Sequence, residues 1–358
     1  HALRTRSLGA FIALCITLAV AVTIRPINLV LVIPVLAVAW LSAGGEGRKL
    51  LARSALAGVA TVIAVLATPG THLALHGRAD SSSPLERGLI QKVMFSRDVV
   101  SNPTEVCDAT FINTQIAPVL DHIEGAPSST TAWLLKRKYT DYLRFRVIIP
   151  GLVDRHGFQS RHQTNPILLC YTVNAARQFP QALAAGIWEE YWKLLGNGTF
   201  ITAAQKEEFD AYLGSHPPVL PPAYPPGYPK APPQEAMHDA SADNAAETGI
   251  VEFAFNAPKT RPPILIFGLQ FIQYGAWVLS LMAIVAVLFG RIRQSAFGLP
   301  LSVIAVAGLA FHLTVAATAV VEMALSRYIF VLWPEIATIW IVAAVLVFNW
   351  LLSWRRSR

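Results

Sequence analysis

The sequence predicts an all-α polytopic membrane protein with about six transmembrane helices and a mostly helical extracytoplasmic insert. Hydrophobic residues make up 54% of the 358 positions and charged residues only 14%, whereas soluble domains contain about 25% charged residues. Six apolar runs are separated by polar segments, and the basic residues cluster beside those runs. These observations together indicate a chain that resides in a lipid bilayer.

Residues 1–75 are predicted to form three transmembrane helices, from apolar runs at 7–24, 27–41 and 54–75. The second run has 15 residues and contains Pro34, although a straight span needs about 20 residues. The first two runs can therefore form a helical hairpin whose tip carries Arg25-Pro26.

Residues 76–262 form a predicted insert of 187 residues without a spanning segment. Helix-start signals occur at Ser83-Pro84-Leu85-Glu86, Asn102-Pro103-Thr104-Glu105 and Thr202-Ala203-Ala204-Gln205, where a capping residue is followed by proline, Glu or Gln. They predict a helical region over 83–214. Nine prolines in 215–233 followed by a small, polar stretch predict a flexible arm over 215–248.

A helix predicted from Pro180 to Leu195 carries a wide aromatic stripe that includes Trp188, Tyr191 and Trp192. The stripe suits the membrane interface, and it suits equally well the packing face of a helix in a soluble domain. Both interpretations stay open from the sequence.

Residues 263–358 contain the last three apolar runs, at 263–289, 297–321 and 329–351, and are predicted to form three further transmembrane helices. His312 lies inside the fifth run. Because a polar side chain in a membrane helix seeks a partner on a neighbouring helix, we expect His312 to form such a hydrogen bond.

The positions of the basic residues predict cytoplasmic termini and an extracytoplasmic insert over 76–262. Four clusters lie on one side when the spans are counted, near Arg4, Arg48, Arg291 and Arg355. Their arrangement follows the positive-inside rule. The net charge of +7 is therefore explained by topology, and we predict no nucleic-acid partner. Arginine outnumbers lysine 21 to 8, which is typical of GC-rich bacteria and favours the bacterial cytoplasmic (inner) membrane.

The chain begins with His1, and basic residues follow it closely. We interpret it as the C-terminal portion of a longer protein. Of the three cysteines, Cys107 and Cys170 lie in the insert. An extracytoplasmic insert would allow them to pair, and two unpaired thiols are as consistent with the spacing.

The turn between the last two apolar runs carries Glu322, Arg327 and Tyr328. Ionisable residues at this depth are costly and usually have a functional or paired role. Arg327 can anchor the chain at the head groups, pair with Glu322, or bind a phosphate through its planar fork. Arg25, in the other turn on the same side, is a second candidate for a phosphate.

The two turns, Ser326-Arg327-Tyr328 before the helix with Pro334 and Ile24-Arg25-Pro26-Ile27-Asn28, resemble those of GT-C fold glycosyltransferases that use polyprenol-phosphate sugars. Protein O-mannosyltransferases and aminoarabinose transferases belong to that group. The resemblance covers nearly the whole chain in topology, and residue-level likeness is confined to the two turns. It implies that Arg327 binds the phosphate of a polyprenyl-linked sugar donor and that Tyr328 shapes the pocket beside it. Arg25 is a weaker candidate for the same phosphate-binding role.

The resemblance also implies a catalytic acid in the first outer loop, and no residue of this chain fills that position. The catalytic residues therefore stay unknown, and the base is expected upstream. The alternative function is a non-enzymatic transporter or assembly subunit that binds a protein partner through 215–233.

No metal site is predicted, although Glu322 has the chemistry to bind a divalent cation. His72 and His76 lie four residues apart, and Asp154, His156 and His162 form a second cluster. Such residues can hold zinc, but pairs without a metal are the simpler interpretation.

Overall fold

The computed structural model describes residues 7–24, 26–43, 45–76, 84–102, 105–159, 161–196, 200–217, 220–221, 260–289, 292, 295–321 and 332–356. Within these ranges every regular element is helical, and the only β-type pairing is an isolated bridge between Ile201 and Thr260. The predicted all-α class is confirmed for this part of the chain.

Among the described residues, four helices are long and apolar enough to cross a membrane, which supports an integral membrane protein. They are α3 (Gly47–His76), α12 (Pro263–Leu288), α13 (Gly298–Val321) and α14 (Trp333–Arg356). Two shorter apolar helices precede them, α1 (Leu8–Ile24) and α2 (Val32–Ala43), joined through a 3₁₀ turn at Pro26–Leu31.

Eight helices belong to the described part of the insert. They are α4 (Pro84–Val93), α5 (Arg97–Ser101), α6 (Ala109–Glu124), α7 (Ser129–Tyr142), α8 (Ile149–His156), α9 (Asn165–Gln178), α10 (Pro180–Leu195) and α11 (Ala203–Ser215). A π-helical turn at Leu143–Ile148 joins α7 to α8. Pro150 explains that turn, because proline lacks the N–H group that a regular α-helix needs and its ring crowds the preceding turn.

The local signals place most of these helix starts correctly. α4 begins at Pro84 and α10 spans Pro180–Leu195 as predicted. Thr202 and Gln205 form the predicted capping box of α11, since each side chain accepts a hydrogen bond from the other residue's backbone N–H. The helix expected from Pro103 begins instead at Ala109, because Cys107 and Asp108 have left-handed backbones with φ of +62° and +53°.

Two apolar cores hold these helices together. The smaller one joins α1, α2 and α3 around residues such as Phe11, Cys15 and Ala57. The larger one is continuous from the insert, with Trp133 and Tyr139, into α12, α13 and α14. The insert packs directly on α13, through α4 and α10, and on α12, through α10.

Small residues allow the membrane helices to approach closely. A Cβ atom added at Gly308 of α13 would overlap the Ser280 side chain of α12, and one added at Gly275 would lie 2.5 Å from the Trp340 ring of α14. Close backbone approach at small residues is a common way to pack helices in lipid, where no hydrophobic force drives them together.

Arg53 of α3 is a buried member of the basic cluster assigned to the cytoplasmic side. Its guanidinium donates a 2.5 Å hydrogen bond to the Ser42 hydroxyl of α2 and lies 5.8 Å from the centre of the Phe11 ring of α1. Arg53 thereby ties the first three apolar helices together.

Candidate functional site

A cavity of about 690 Å³ lies among the membrane helices. Its walls come from α1, α2, α13, α14 and the 3₁₀ turn, and include Ala13, Val35, Val306 and Ala310. The lining is almost wholly aliphatic. A cavity of this size and character in a membrane protein suits a hydrocarbon chain.

Glu335 is the one ionisable residue among those lining the cavity. It lies in the first turn of α14, where the helix macrodipole favours an acidic side chain. Its Oε2 atom is buried and has no hydrogen-bond partner among the described residues. The hydroxyls of Thr17 and Thr338 also line the cavity but already donate to carbonyls of their own helices, at 2.9 and 2.7 Å. Glu335 Oε2 is therefore the carboxylate oxygen that this cavity offers as a hydrogen-bond acceptor.

The four site residues that the sequence predicts, Arg25, Glu322, Arg327 and Tyr328, lie outside the residues whose side chains the structure describes. In the sequence, however, they adjoin helices that line the cavity. Arg25 directly follows α1, and 322–331 separates α13 from α14, so each turn connects elements that line the cavity.

The aromatic stripe of α10 packs against the membrane helices. The Trp277 indole of α12 donates a hydrogen bond to the Tyr191 hydroxyl at 3.1 Å, and the Trp192 ring lies 6.1 Å from that of Trp277. Trp188 in the same stripe stays 60% exposed. The stripe is thus a packing face whose partner is the membrane-spanning part of the chain.

His312 forms the interhelical contact expected from the sequence. Its Nε2 atom lies 2.8 Å from the Ser280 hydroxyl of α12, and its ring meets that of Trp277 edge-on at 6.0 Å. This confirms the prediction and links α13 to α12.

A second, smaller cavity of about 210 Å³ lies in the insert between α4, α7 and α10. Charged residues of both signs line it, namely Lys92, Lys136, Glu189 and Glu190. Lys136 and Glu189 form an ion pair at 2.8 Å. Lys92 and Glu190 are 4% and 8% exposed, so the cavity is strongly polar although it lies in a packed region.

The side of α10 near this cavity carries a further cation, the half-buried Lys193. Its ammonium lies 5.0 Å from the centre of the Trp133 ring, and Arg137 approaches the same ring at 5.5 Å. Burial lowers the pKa of Lys193, and the carboxylates of Glu189 and Glu190 partly offset that shift. The insert therefore contains a group of buried and half-buried charges of both signs, in which cations outnumber carboxylates.

The two insert cysteines are paired. Cys107 and Cys170 form a disulfide with their Cα atoms 5.7 Å apart, so of the two alternatives left by the sequence the pair is the one observed. Beside it, Asp108 Oδ2 lies 2.8 Å from His156 Nε2, and the same carboxylate lies 3.5 Å from Arg155 Nε. His156 thus pairs with a residue distant in sequence.

His122 forms a buried pair with Tyr139 in the insert. Its Nδ1 atom lies 2.8 Å from the Tyr139 hydroxyl, and its ring stacks on Tyr212 at 4.9 Å. Burial lowers the pKa of His122; a hydrogen bond with the His216 backbone partly opposes this shift, and the charges of His216 and Lys138 add to it. The neutral imidazole is therefore the form that this site favours.

No group of three or more His, Cys, Asp or Glu side chains suited to a metal ion occurs within the ranges that the structure describes. The structure does not describe the side chains of His72, His76 and His162. Comparison of the chain with family models, with curated proteins and with solved structures found no match.

Sequence reasoning missed Glu335 and the polar cavity of the insert. A lone acid immediately after Trp333-Pro334, at the start of an apolar run, was the available signal for Glu335. The polar cavity had no comparable signal, because its residues come from three helices and each looks like an ordinary surface residue in its own helix.

Proposed function

We propose that this chain binds a polyprenyl-phosphate-linked sugar in its intramembrane cavity and acts in sugar transfer at the extracytoplasmic face. The observation that carries the proposal is the aliphatic cavity of about 690 Å³ with the Glu335 carboxylate in its wall. An isoprenoid chain is a hydrocarbon, and the aliphatic side chains that make up most of this lining offer it apolar contacts.

The phosphate of such a carrier is assigned to the two arginine turns. Arg25 follows α1 directly, and Arg327 lies between α13 and α14, so both arginines are joined through the chain to walls of the cavity. A guanidinium can pair with two phosphate oxygens at once. The likeness of these turns to those of GT-C transferases supports the same assignment, with Tyr328 beside the phosphate.

Glu335 is assigned to the polar head of the donor. It lies at the end of α14 that follows the 322–331 segment, on the side to which the phosphate is assigned. An unpartnered carboxylate oxygen accepts a hydrogen bond from a sugar hydroxyl. This role positions the donor and leaves the identity of the catalytic base open.

The proposal includes a topology of six spans with cytoplasmic termini. The hairpin of α1 and α2 either crosses twice or enters and returns, so it leaves the orientation of the later spans unchanged. The Cys107–Cys170 disulfide supports an extracytoplasmic insert, because disulfides persist in oxidising compartments. The lipid bilayer is the medium in which donor and protein meet.

The test uses the full chain in lipid nanodiscs and a polyprenyl monophosphate that carries a photoreactive group in its hydrocarbon tail. We expect cross-links to peptides of α1 and α13. Ala310→Phe, which fills the cavity, should abolish them, whereas Ala344→Phe, on an exposed part of α14, should leave them intact. Equal labelling of both variants, or equal labelling by a diacyl phosphatidic acid probe, would contradict the proposal.

A further inference from the structure

We propose that the polar cavity of the insert is a binding site for one neutral monosaccharide unit. The site goes beyond the proposed membrane function and stands whether or not the intramembrane cavity binds a lipid carrier. It rests on residues of α4, α7 and α10 and of the turn between α4 and α5.

The size of the cavity limits its ligand to a single small ring. Its volume of about 210 Å³ corresponds to about seven water molecules at about 30 Å³ each. Sites for drug-sized ligands begin at about 300 Å³. One sugar ring fits these limits, and two linked rings would have to extend out of the opening.

The charge of the lining favours a neutral ligand over an ion. Two lysines, Lys92 and Lys136, are matched by two carboxylates, Glu189 and Glu190. An anion would be attracted by the two lysines and repelled as strongly by the two carboxylates, and the reverse would hold for a cation. A hydroxyl group both donates and accepts, so a polyhydroxylated ring can serve ammonium donors and carboxylate acceptors together.

Two further polar side chains in the lining are available to a ligand. Among the described residues, no hydrogen-bond partner is found for the Gln91 amide or for the Ser96 hydroxyl, which leaves the cap position of α5 without a side-chain bond. An amide offers a donor and an acceptor at fixed spacing, which matches neighbouring hydroxyls on a sugar ring. Phe95 supplies an apolar surface for the C–H groups of that ring.

The cavity is built into the packing of the insert. A Cβ atom at Gly186 of α10 would overlap the backbone carbonyl of Lys92 on α4, so the two helices touch at the glycine and separate beside it. The open space therefore lies next to a rigid contact, and the polar lining is held in place before a ligand arrives.

The experiment measures saturation-transfer NMR with the full chain in nanodiscs and with methyl α-mannoside, methyl β-glucoside and N-acetylglucosamine as probes. At least one should bind. Gln91→Leu, which keeps the bulk and removes the amide, and Ser96→Ala should each weaken binding by about tenfold, the effect of one lost hydrogen bond. Glu207→Gln, an exposed change on α11, should have no effect. Thermal melting confirms that each variant is folded.

Three results would overturn the proposal. They are the absence of saturation transfer from every probe, binding that neither Gln91→Leu nor Ser96→Ala weakens, and binding of glycine in place of the sugars, which would indicate a zwitterion site. Because the probes have no lipid tail, failure here leaves the polyprenyl proposal intact, and failure of tail cross-linking leaves this site intact.

Discussion

The Tyr191 hydroxyl of the insert accepts a hydrogen bond from the Trp277 indole of a membrane helix, with 3.1 Å between oxygen and nitrogen. Both side chains are half-buried, and the Trp192 and His312 rings surround the indole. Burial raises the pKa of Tyr191, so its hydroxyl stays protonated and neutral. The insert and the membrane helices are therefore joined by a specific polar contact inside an aromatic cluster.

Tyr191→Phe should loosen this junction. It removes only the hydroxyl and leaves a half-buried indole N–H without its acceptor, which costs about 1–3 kcal/mol. We expect a lower melting temperature in nanodiscs and faster amide exchange in α10. Trp350→Phe, at an exposed position of α14, is the control and should change neither measurement. An unchanged melting temperature for Tyr191→Phe would mean that the contact contributes nothing.

Gly308→Ala should destabilise the membrane helices. The added methyl group would overlap Ser280, and Ser280 also holds His312, so the substitution forces α12 and α13 apart and strains that hydrogen bond. Overpacking of this kind costs about 1–3 kcal/mol. Gly268→Ala lies on α12 with open space around it and should be neutral or slightly stabilising. Thermal melting of the two variants side by side makes the comparison, and equal melting would exclude a tight α12–α13 contact.

The sequence predicted elements far better than contacts between them. The apolar runs, the proline at the start of α4 and the capping box of α11 are local signals, and each acts through neighbouring residues. The contact between Gly308 and Ser280 and the position of Glu335 depend on how distant helices cross. No single-sequence pattern contains that information. In the second apolar run the sequence predicts only part of the local structure. Pro26 and Pro34 indicate that its helix starts irregularly, but they do not predict that this start is a 3₁₀ turn.

Lowering the pH should destabilise the insert through His122. Burial lowers its folded-state pKa below the ordinary value of 6.5, so the unfolded chain takes up a proton first as pH falls. The contribution of His122 to stability is complete above about pH 6.5 and is lost progressively below it, down to the folded-state pKa. The charge of Lys138 acts in the same direction, whereas the hydrogen bond with the His216 backbone partly opposes the shift. The paired Tyr139 stays neutral.

His122→Asn separates this effect from general acid unfolding. The asparagine amide lies near the position of Nδ1 and can still bond to Tyr139, but it does not titrate. Chemical denaturation at several pH values between about 7.5 and 5 should give a shallower loss of stability for this variant. Parallel curves for variant and wild type would show that His122 is not the titrating group.

Loss of the Cys107–Cys170 disulfide should lower the stability of the insert. The bond closes a loop of 63 residues, and the chain-entropy relation gives about 4 kcal/mol for a loop of that length. Cys107→Ser with Cys170→Ser should therefore lower the melting temperature markedly, and reduction should do the same to the wild type. Cys15→Ser changes the buried free cysteine of α1 and keeps the disulfide, so this variant should melt close to the wild type and lose stability on reduction to the same extent. A wild type insensitive to reduction would contradict the prediction.

Arg327→Lys should weaken binding of a polyprenyl phosphate while leaving the fold intact. Lysine keeps the positive charge but loses the planar fork that engages two phosphate oxygens. If Arg327 instead serves to neutralise Glu322, Lys can still do so, and carrier affinity should be unchanged. Glu322→Gln makes the reciprocal comparison, because it breaks such a pair and leaves the phosphate site untouched.

Tail cross-linking and thermal melting of the two variants in the full-length protein distinguish the phosphate role of Arg327 from the ion pair with Glu322. A loss of cross-linking in Arg327→Lys with normal melting of both variants supports the phosphate role. Unfolding of Glu322→Gln with normal cross-linking of Arg327→Lys would make the pair structural, and the phosphate role would then fall to Arg25 on the other turn.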